Sequence, residues 1–270
     1  YIFSRYHCVD LLNMAFSEKH PAHVTIIDSE YLASLVGRLK WFSEKDYFIS
    51  KQGMSFDVMG LLCQSLSNTI AALTGRVKKC LVLDLDNTIW GGVIGDDGLE
   101  GINLDPNDPI GEAYLSFQKY VKLLKARGVL IAICSKNENE IARVPFLKHQ
   151  NMVLSLEDIS CFVANWGHKF DNIQKIAEVL NISLNSIVFF DDNPVEREMV
   201  SEELPEVSVV EVPQDPAYYV RALEVEMHFD WVQISNEDMT RTSSIVANKK
   251  RTTLERNSNS YAGYLKSLKM

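Results

Sequence analysis

A short apolar run that ends in two closely spaced carboxylates constrains this chain more than any other feature. Residues 81–83 have the length and composition of a buried strand, and Asp84 and Asp86 follow directly. Side chains two positions apart on a strand share a face, so both carboxylates are expected to point into one site. Such a pair is costly to keep ionised without a cation, and oxygen ligands suit Mg²⁺. A pair of solvated turn residues is the alternative, but the end of an apolar strand favours a site.

Bulk composition limits the class of protein. The chain has 270 residues, of which 46% are hydrophobic, enough for one large domain or two small ones with a core. Its net charge of −9 argues against nonspecific binding of nucleic acid. The basic run Lys249-Lys250-Arg251 is more typical of a solvated helix end. No stretch approaches the roughly 18 apolar residues of a membrane span.

The cysteines and the first residues indicate the compartment. Five cysteines show no CxxC spacing, and their odd number favours reduced thiols in a cytoplasmic enzyme. The six histidines show no ligand spacing either. The chain begins with Tyr1 and shows no signal peptide, which indicates a piece of a longer protein or missing first residues.

Three segments are predicted along the chain. Residues 1–78 are interpreted as an arm or the remnant of an upstream domain, with a short strand at 24–27, a helix from the N-cap Ser29 to Gly37, and a helix capped by Ser55 that Gly75 closes. Residues 79–213 alternate strand and helix, which predicts a parallel five-stranded sheet covered by helices on both faces. Residues 214–270 are predicted to be helical and polar, with helix starts near Ser235 and after Ser260.

The elements of the middle segment follow from hydrophobic periodicity. Strands are predicted at 80–84, 129–134, 152–154, 187–190 and 207–212, and helices at 111–126, 138–149, 169–180 and 194–204. A stripe at helical spacing on the first helix is predicted to be core: Tyr114, Phe117, Val121 and Leu124.

Polar clusters fall where these strands end or helices begin. They are Asp84, Asp86 and Thr88; Ser135 and Lys136 with Asn137; Lys169; and Asp191 with Asp192. Phosphoryl transfer needs a nucleophile, a counter-charge for the phosphoryl oxygens and an acid or base. A carboxylate can form an aspartyl phosphate, and a second carboxylate can protonate the leaving oxygen. The four clusters together supply this set.

These residues resemble the four motifs of the haloacid dehalogenase superfamily of phosphotransferases. The resemblance implies a Rossmann-like fold, Asp84 as nucleophile and Asp86 as general acid and base. It also implies that Ser135 and Lys169 hold the phosphoryl group. Mg²⁺ would be bound by Asp84, the Asp86 backbone carbonyl, Asp191 and Asp192.

A closer resemblance is to the FkbH-type branch of that superfamily. It rests on residues 83–98, Cys134-Ser135-Lys136-Asn137, Asn165-Trp166 and Asp191-Asp192-Asn193-Pro194. Members take a three-carbon unit from 1,3-bisphosphoglycerate, dephosphorylate it and load it on the phosphopantetheine thiol of an acyl carrier protein in polyketide biosynthesis. The short 91–107 segment predicts a minimal cap. Gly167-His168 departs from the acidic pair that often precedes the motif lysine, and residues 1–78 match only the tail of the longer members.

Several alternatives remain open at this point. Thr88 is either a helix cap or a phosphate contact, two compatible roles, and Lys136 is either a surface charge or a phosphate contact. Cys134 is a buried hydrophobe or, with its pKa lowered by Lys136 and Lys169, the catalytic thiol that accepts the acyl group; Cys161 is the second candidate. The rival functions are a plain Mg²⁺-dependent phosphatase of small phosphate esters and a non-catalytic module that docks the carrier protein. The product, glyceryl or lactyl, is not fixed by these motifs.

Overall fold

The computed structural model describes residues 5–21 and 23–229. The chain divides after Thr74 into two compact units. The helix starts predicted near Ser235 and after Ser260 lie outside the described residues.

The first unit is helical over its described part. Its helices are α1 (Arg5–Lys19), α2 (Ser29–Val36), α3 (Arg38–Trp41), α4 (Glu44–Ser50) and α5 (Met59–Leu73). Residues 24–27 are not a strand, contrary to the prediction. Helix α2 is capped by Asp28, not Ser29, since its carboxylate accepts from the amides of Glu30 and Tyr31 at 3.0 Å. Ser55 caps a 3₁₀ turn (Phe56–Val58) that leads into α5.

The second unit contains a five-stranded parallel sheet. Its strands are β1 (Cys80–Leu83), β2 (Leu130–Ser135), β3 (Ile159–Ala164), β4 (Ile187–Phe190) and β5 (Ser208–Val209), in the order β3-β2-β1-β4-β5. The helices of this unit are α6 (Ile94–Gly101), α7 (Pro109–Ala126), α8 (Asn139–Lys148), α9 (Lys169–Leu180), α10 (Pro194–Glu203) and α11 (Tyr219–Val225).

Two apolar layers cover the faces of the sheet. Alternate residues of β1 enter different layers: Leu81 and Leu83 pack with α7 and α11, whereas Cys80 and Val82 pack with α9 and α10. The predicted stripe on α7 lies in the first layer, where each member is at most 5% exposed. The predicted α/β fold with a parallel five-stranded sheet and helices on both faces is therefore confirmed.

One predicted strand is wrong. Residues 152–154 belong to no strand, and the amides of Val153 and Leu154 donate instead to the side-chain oxygen of Gln118 on α7 at 2.9 and 3.1 Å. The third strand of the chain is instead β3, which precedes the helix that begins at Lys169. It forms an edge of the sheet and three of its six residues are partly exposed, so its sequence lacks a clear apolar run.

The segment between β1 and α7 is short. It holds α6, whose helix is interrupted at Gly98, and an antiparallel bridge between Gly91 and Asn103. In the described part of the chain, no helix combines the length and apolar composition needed to span a membrane.

Candidate active site

Strand register places Asp84 beside Asp191. Leu83 lies opposite Phe190 in the parallel pairing of β1 and β4, and the Asp84 amide donates to the Phe190 carbonyl at 3.1 Å. Each strand then ends in an aspartate. Asp84 is buried, with 7% of its surface exposed, and its Oδ1 has no hydrogen-bond partner among the described residues. Burying a carboxylate oxygen without a hydrogen-bond partner costs free energy, which makes Asp84 Oδ1 a candidate atom for contact with a ligand.

A buried lysine joins these two aspartates. Lys169, the first residue of α9, is 3% exposed, and its Nζ lies 3.0 Å from Asp84 Oδ2 and 2.6 Å from Asp191 Oδ2. Burial alone would lower the pKa of Lys169, but the charges of Asp84 and Asp191 outweigh it and raise the pKa above its ordinary value. The lysine is therefore a permanent cation in the site.

The Asp191-Asp192 pair follows β4. Burial, and next the charge of Asp84, raise the pKa of the fully buried Asp191 carboxyl, and the same two causes raise the pKa of Asp192. Arg197 of α10 fixes the turn by donating to the carbonyls of Asp191 and Asp192 at 2.9 and 2.8 Å. Arg197 thus fixes the backbone that carries both carboxylates, and burial makes their ionised forms less favourable.

Three carboxylates converge closely enough to share a metal ion. Ligand oxygens of Asp84, Asp191 and Asp192 all lie within 4.8 Å of one another. The side chain of Asp86, predicted as a further metal residue, is outside this group and has other partners. A role of Asp86 in metal binding would therefore rest on its backbone carbonyl, as the family resemblance implies.

Asp86 is held by three donors from two loops. Its Oδ1 accepts from Trp90 Nε1 and from the Ile94 amide, both at 2.9 Å, and its Oδ2 accepts from Asn137 Nδ2 at 2.7 Å. The first two donors come from the segment after β1, and the third comes from the loop after β2. The carboxylate is only partly buried, so it faces an open side of the site.

Thr88 contacts the second aspartate of the acidic pair. It is fully buried, and its hydroxyl donates to Asp192 Oδ1 at 3.2 Å and accepts from the Asp192 amide at 3.3 Å. These two contacts orient Asp192, and the phosphate contact of Thr88 stays a prediction.

The β2 cluster contributes Ser135 and Lys136. Ser135 ends β2, is 2% exposed and accepts from Asn137 Nδ2 at 3.2 Å. The ammonium of Lys136 lies 2.5 Å from Glu196 Oε1, at the start of α10. Lys136 is therefore paired with a largely buried carboxylate.

The surroundings of Cys134 weigh against the expected reactive thiolate. Cys134 is fully buried, its Sγ lies 3.7 Å from the Lys169 carbonyl oxygen, and burial raises the pKa of its thiol above the ordinary value. The nearby Lys169 charge acts in the predicted direction, but burial exceeds it. Cys161 is buried as well. Neither thiol is placed to accept an acyl group from a substrate in solution.

Sequence reasoning assigned no role to four residues that build this site. Asn137 and Trp90 hold Asp86, Arg197 holds the acidic turn, and Glu196 binds Lys136. Asn137 stood within the motif after β2, so its amide was visible as a polar group at a strand end. The other three lie four to six residues beyond the aspartates, where local spacing carries no such information.

Comparison with known proteins places this geometry in context. The chain is similar to the crystal structure of the N-terminal part of the protein BF1531 from Bacteroides fragilis, which contains a phosphatase domain and is complexed with Mg. Identity is 45%, the TM-score is 0.73, and the match covers 75% of this chain. The chain spans about half, 54%, of that structure. Comparisons with models of protein families and with curated proteins found no match.

Proposed function

We propose that this chain is a Mg²⁺-dependent phosphatase of the haloacid dehalogenase type. The observation that carries the proposal is the buried Asp84, whose Oδ1 lacks a partner while its Oδ2 contacts the Lys169 ammonium. The contact with Lys169 orients this carboxylate, and burial shields it from water. Its Oδ1 is available, as a nucleophile or a metal ligand requires. The similarity to a phosphatase domain complexed with Mg supports the same reaction.

The charges of the site fit a divalent cation. Asp84, Asp191 and Asp192 bring three carboxylates together against the single ammonium of Lys169. A phosphate ester carries further negative charge and would be repelled. Carboxylate oxygens are the preferred ligands of Mg²⁺, which when bound offsets this repulsion and neutralises the phosphoryl oxygens.

The protein's own groups then divide the reaction. Asp84 attacks phosphorus, so an O–P bond forms to its carboxylate as the bond from phosphorus to the leaving oxygen breaks. Asp86, carrying a proton, gives it to that oxygen and later takes one from the water that hydrolyses the aspartyl phosphate. Lys169 and the Ser135 hydroxyl bind phosphoryl oxygens, which accounts for the burial of Lys169 at the start of α9 and of Ser135 at the end of β2.

The finer function that we propose is transfer of a three-carbon unit, glyceryl or lactyl, from 1,3-bisphosphoglycerate to an acyl carrier protein in polyketide biosynthesis. Its support is the FkbH-type motif resemblance, and the short segment between β1 and α7, which leaves room for a carrier-borne thiol. Since Cys134 and Cys161 are buried, the carrier thiol would attack the acyl carbon of the acyl phosphate directly, without an enzyme thioester. A carbon–sulfur bond forms as the bond from that carbon to the phosphate oxygen breaks, and inorganic phosphate leaves. Acyl loading of a carrier protein, followed by mass spectrometry, tests this step separately from phosphate release.

The test of the phosphatase uses Asp84→Asn with Asp96→Asn as the matched control. Asp96 is an exposed aspartate on the next helix, so its loss should leave activity unchanged. The wild-type protein and Asp96→Asn should release phosphate from p-nitrophenyl phosphate in Mg²⁺ and stop in excess EDTA, whereas folded Asp84→Asn should be inactive. Normal turnover by Asp84→Asn, or full activity in EDTA, would refute the proposal. Inactivity of the wild-type protein would favour the docking module instead.

A further inference from the structure

The side chain of Asn137 joins two groups that the proposed reaction uses. Its Nδ2 lies 2.7 Å from Asp86 Oδ2 and 3.2 Å from Ser135 Oγ. Asn137 is 3% exposed and stands two residues beyond the end of β2. The buried amide of Asn137 therefore links Asp86, in the segment after β1, to the Ser135 hydroxyl at the end of β2.

The partners of Asp86 show what this link does. Trp90 and Ile94 both donate to Oδ1, which uses the two lone pairs of that oxygen. Among the described residues Oδ2 accepts from Asn137 alone, so one of its lone pairs is left to exchange a proton with a substrate. Asn137 is thus the donor that fixes the direction of the oxygen that reacts.

Ser135 gains its orientation from the same amide. Because Asn137 donates to Ser135 Oγ, the hydroxyl hydrogen must point away from Asn137. That hydrogen is then available to a phosphoryl oxygen.

The amide has one consistent orientation. When Asp86 is ionised, as in the step that takes a proton from water, exchanging the amide oxygen and nitrogen of Asn137 would place two oxygens 2.7 Å apart, which is repulsive. The assigned Oδ1 instead faces Gly95 on α6, where even an added Cβ would meet it at an ordinary 3.7 Å.

We propose that Asn137 is a positioning residue that aims Asp86 at the leaving oxygen of the substrate and turns the Ser135 hydroxyl toward the phosphoryl group. This inference rests on the proposed phosphatase function. It assigns to the motif after β2 a role in proton transfer, in addition to its contact with phosphate.

The experiment compares two aryl esters of similar size. Phenyl phosphate has a poor leaving group that needs a proton from Asp86, and p-nitrophenyl phosphate has a good one that does not. We expect Asn137→Ala to lower kcat/KM for phenyl phosphate about tenfold or more beyond its effect on p-nitrophenyl phosphate. Asn137→Leu keeps about the same side-chain volume but has no hydrogen-bond donor, so it should give the same result as Asn137→Ala. It replaces the alanine variant in the experiment if that variant does not fold. Asn139→Ala, an exposed amide two residues on, is the control and should change neither ester.

A double-mutant cycle with Asp86→Asn separates positioning from general loss of structure. If Asn137 acts through Asp86, adding Asn137→Ala to Asp86→Asn should have little further effect on the ratio of the two esters. Equal loss on both esters in folded Asn137 variants, or additive effects in the cycle, would overturn the positioning role while the phosphatase proposal stands. A wild-type protein that hydrolyses neither ester would overturn both.

Discussion

Replacing Lys169 by methionine tests the electrostatics of the site without relying on turnover. The substitution keeps most of the side-chain volume and removes the one cation that pairs with Asp84 and Asp191, at 3.0 and 2.6 Å, among the residues that the structure describes. All three side chains are at most 10% exposed, so solvent screens the interaction weakly. Breaking a buried ion pair by removing one partner costs about 3–5 kcal/mol, since the remaining charge is left unpaired. We expect a loss of that size at neutral pH in the absence of divalent metal.

The loss should depend on pH in a defined direction. Burial and the Asp84 charge already raise the pKa of Asp191, and removal of the ammonium raises that pKa further. A carboxyl whose pKa is higher in the folded state stabilises the fold least at high pH, because the unfolded state ionises first. The loss of stability in Lys169→Met should therefore be small near pH 3.8, the ordinary pKa of an aspartate carboxyl, and should grow as the pH rises above it.

Hydrogen exchange of the β1 amides measures this deficit in the sheet itself, independently of the other unit. Lys175→Met is the matched control, since Lys175 is exposed on the same helix, and should change exchange little. Added Mg²⁺ should recover part of the loss by supplying charge to the same carboxylates. A loss no larger than that of Lys175→Met, or one that shrinks with rising pH, would refute the charge balance described here.

Two further predictions concern packing. In the native protein, iodoacetamide should label Cys8 and Cys63 and spare Cys80, Cys134 and Cys161, as read by peptide mass spectrometry; fast labelling of Cys134 would reopen its role as an acyl acceptor. Gly111→Ala should destabilise the second unit by about 1–3 kcal/mol or more, because a Cβ there would lie 2.4 Å from the Asp105 carbonyl oxygen. Gly95→Ala meets its nearest neighbour at 3.7 Å and is the control in thermal melts; equal melting temperatures would contradict the close packing at Gly111.

Local sequence was sufficient to predict an element where a single hydrophobic pattern was present. The strand Ile187–Phe190 and the helix Lys169–Leu180 have the predicted bounds, because a continuous apolar run and a strong 3.6-residue period each leave one reasonable assignment. The aspartates that end β1 and β4 were likewise visible, since the carboxyl ends of parallel strands meet at one edge of the sheet.

Long-range contacts decided the rest. Residues 152–154 are not a strand because Gln118, more than thirty residues away, binds their amides. The thiol of Cys134 is buried because helix α9 covers it, and no local pattern around Cys134 indicates that contact.

The sequence by itself determined the alternation of strands and helices apart from the position of the third strand, the parallel sheet, and the residue types that follow β1, β2 and β4, since these follow from periodicity and chemistry along the chain. Tertiary structure alone decided which of those side chains meet. The register of β1 with β4 brings Asp84 to Asp191, Lys169 enters between them, and Asn137 reaches Asp86 from a different loop. Such pairings depend on strand order and helix placement, which bring together residues up to about a hundred positions apart in the chain.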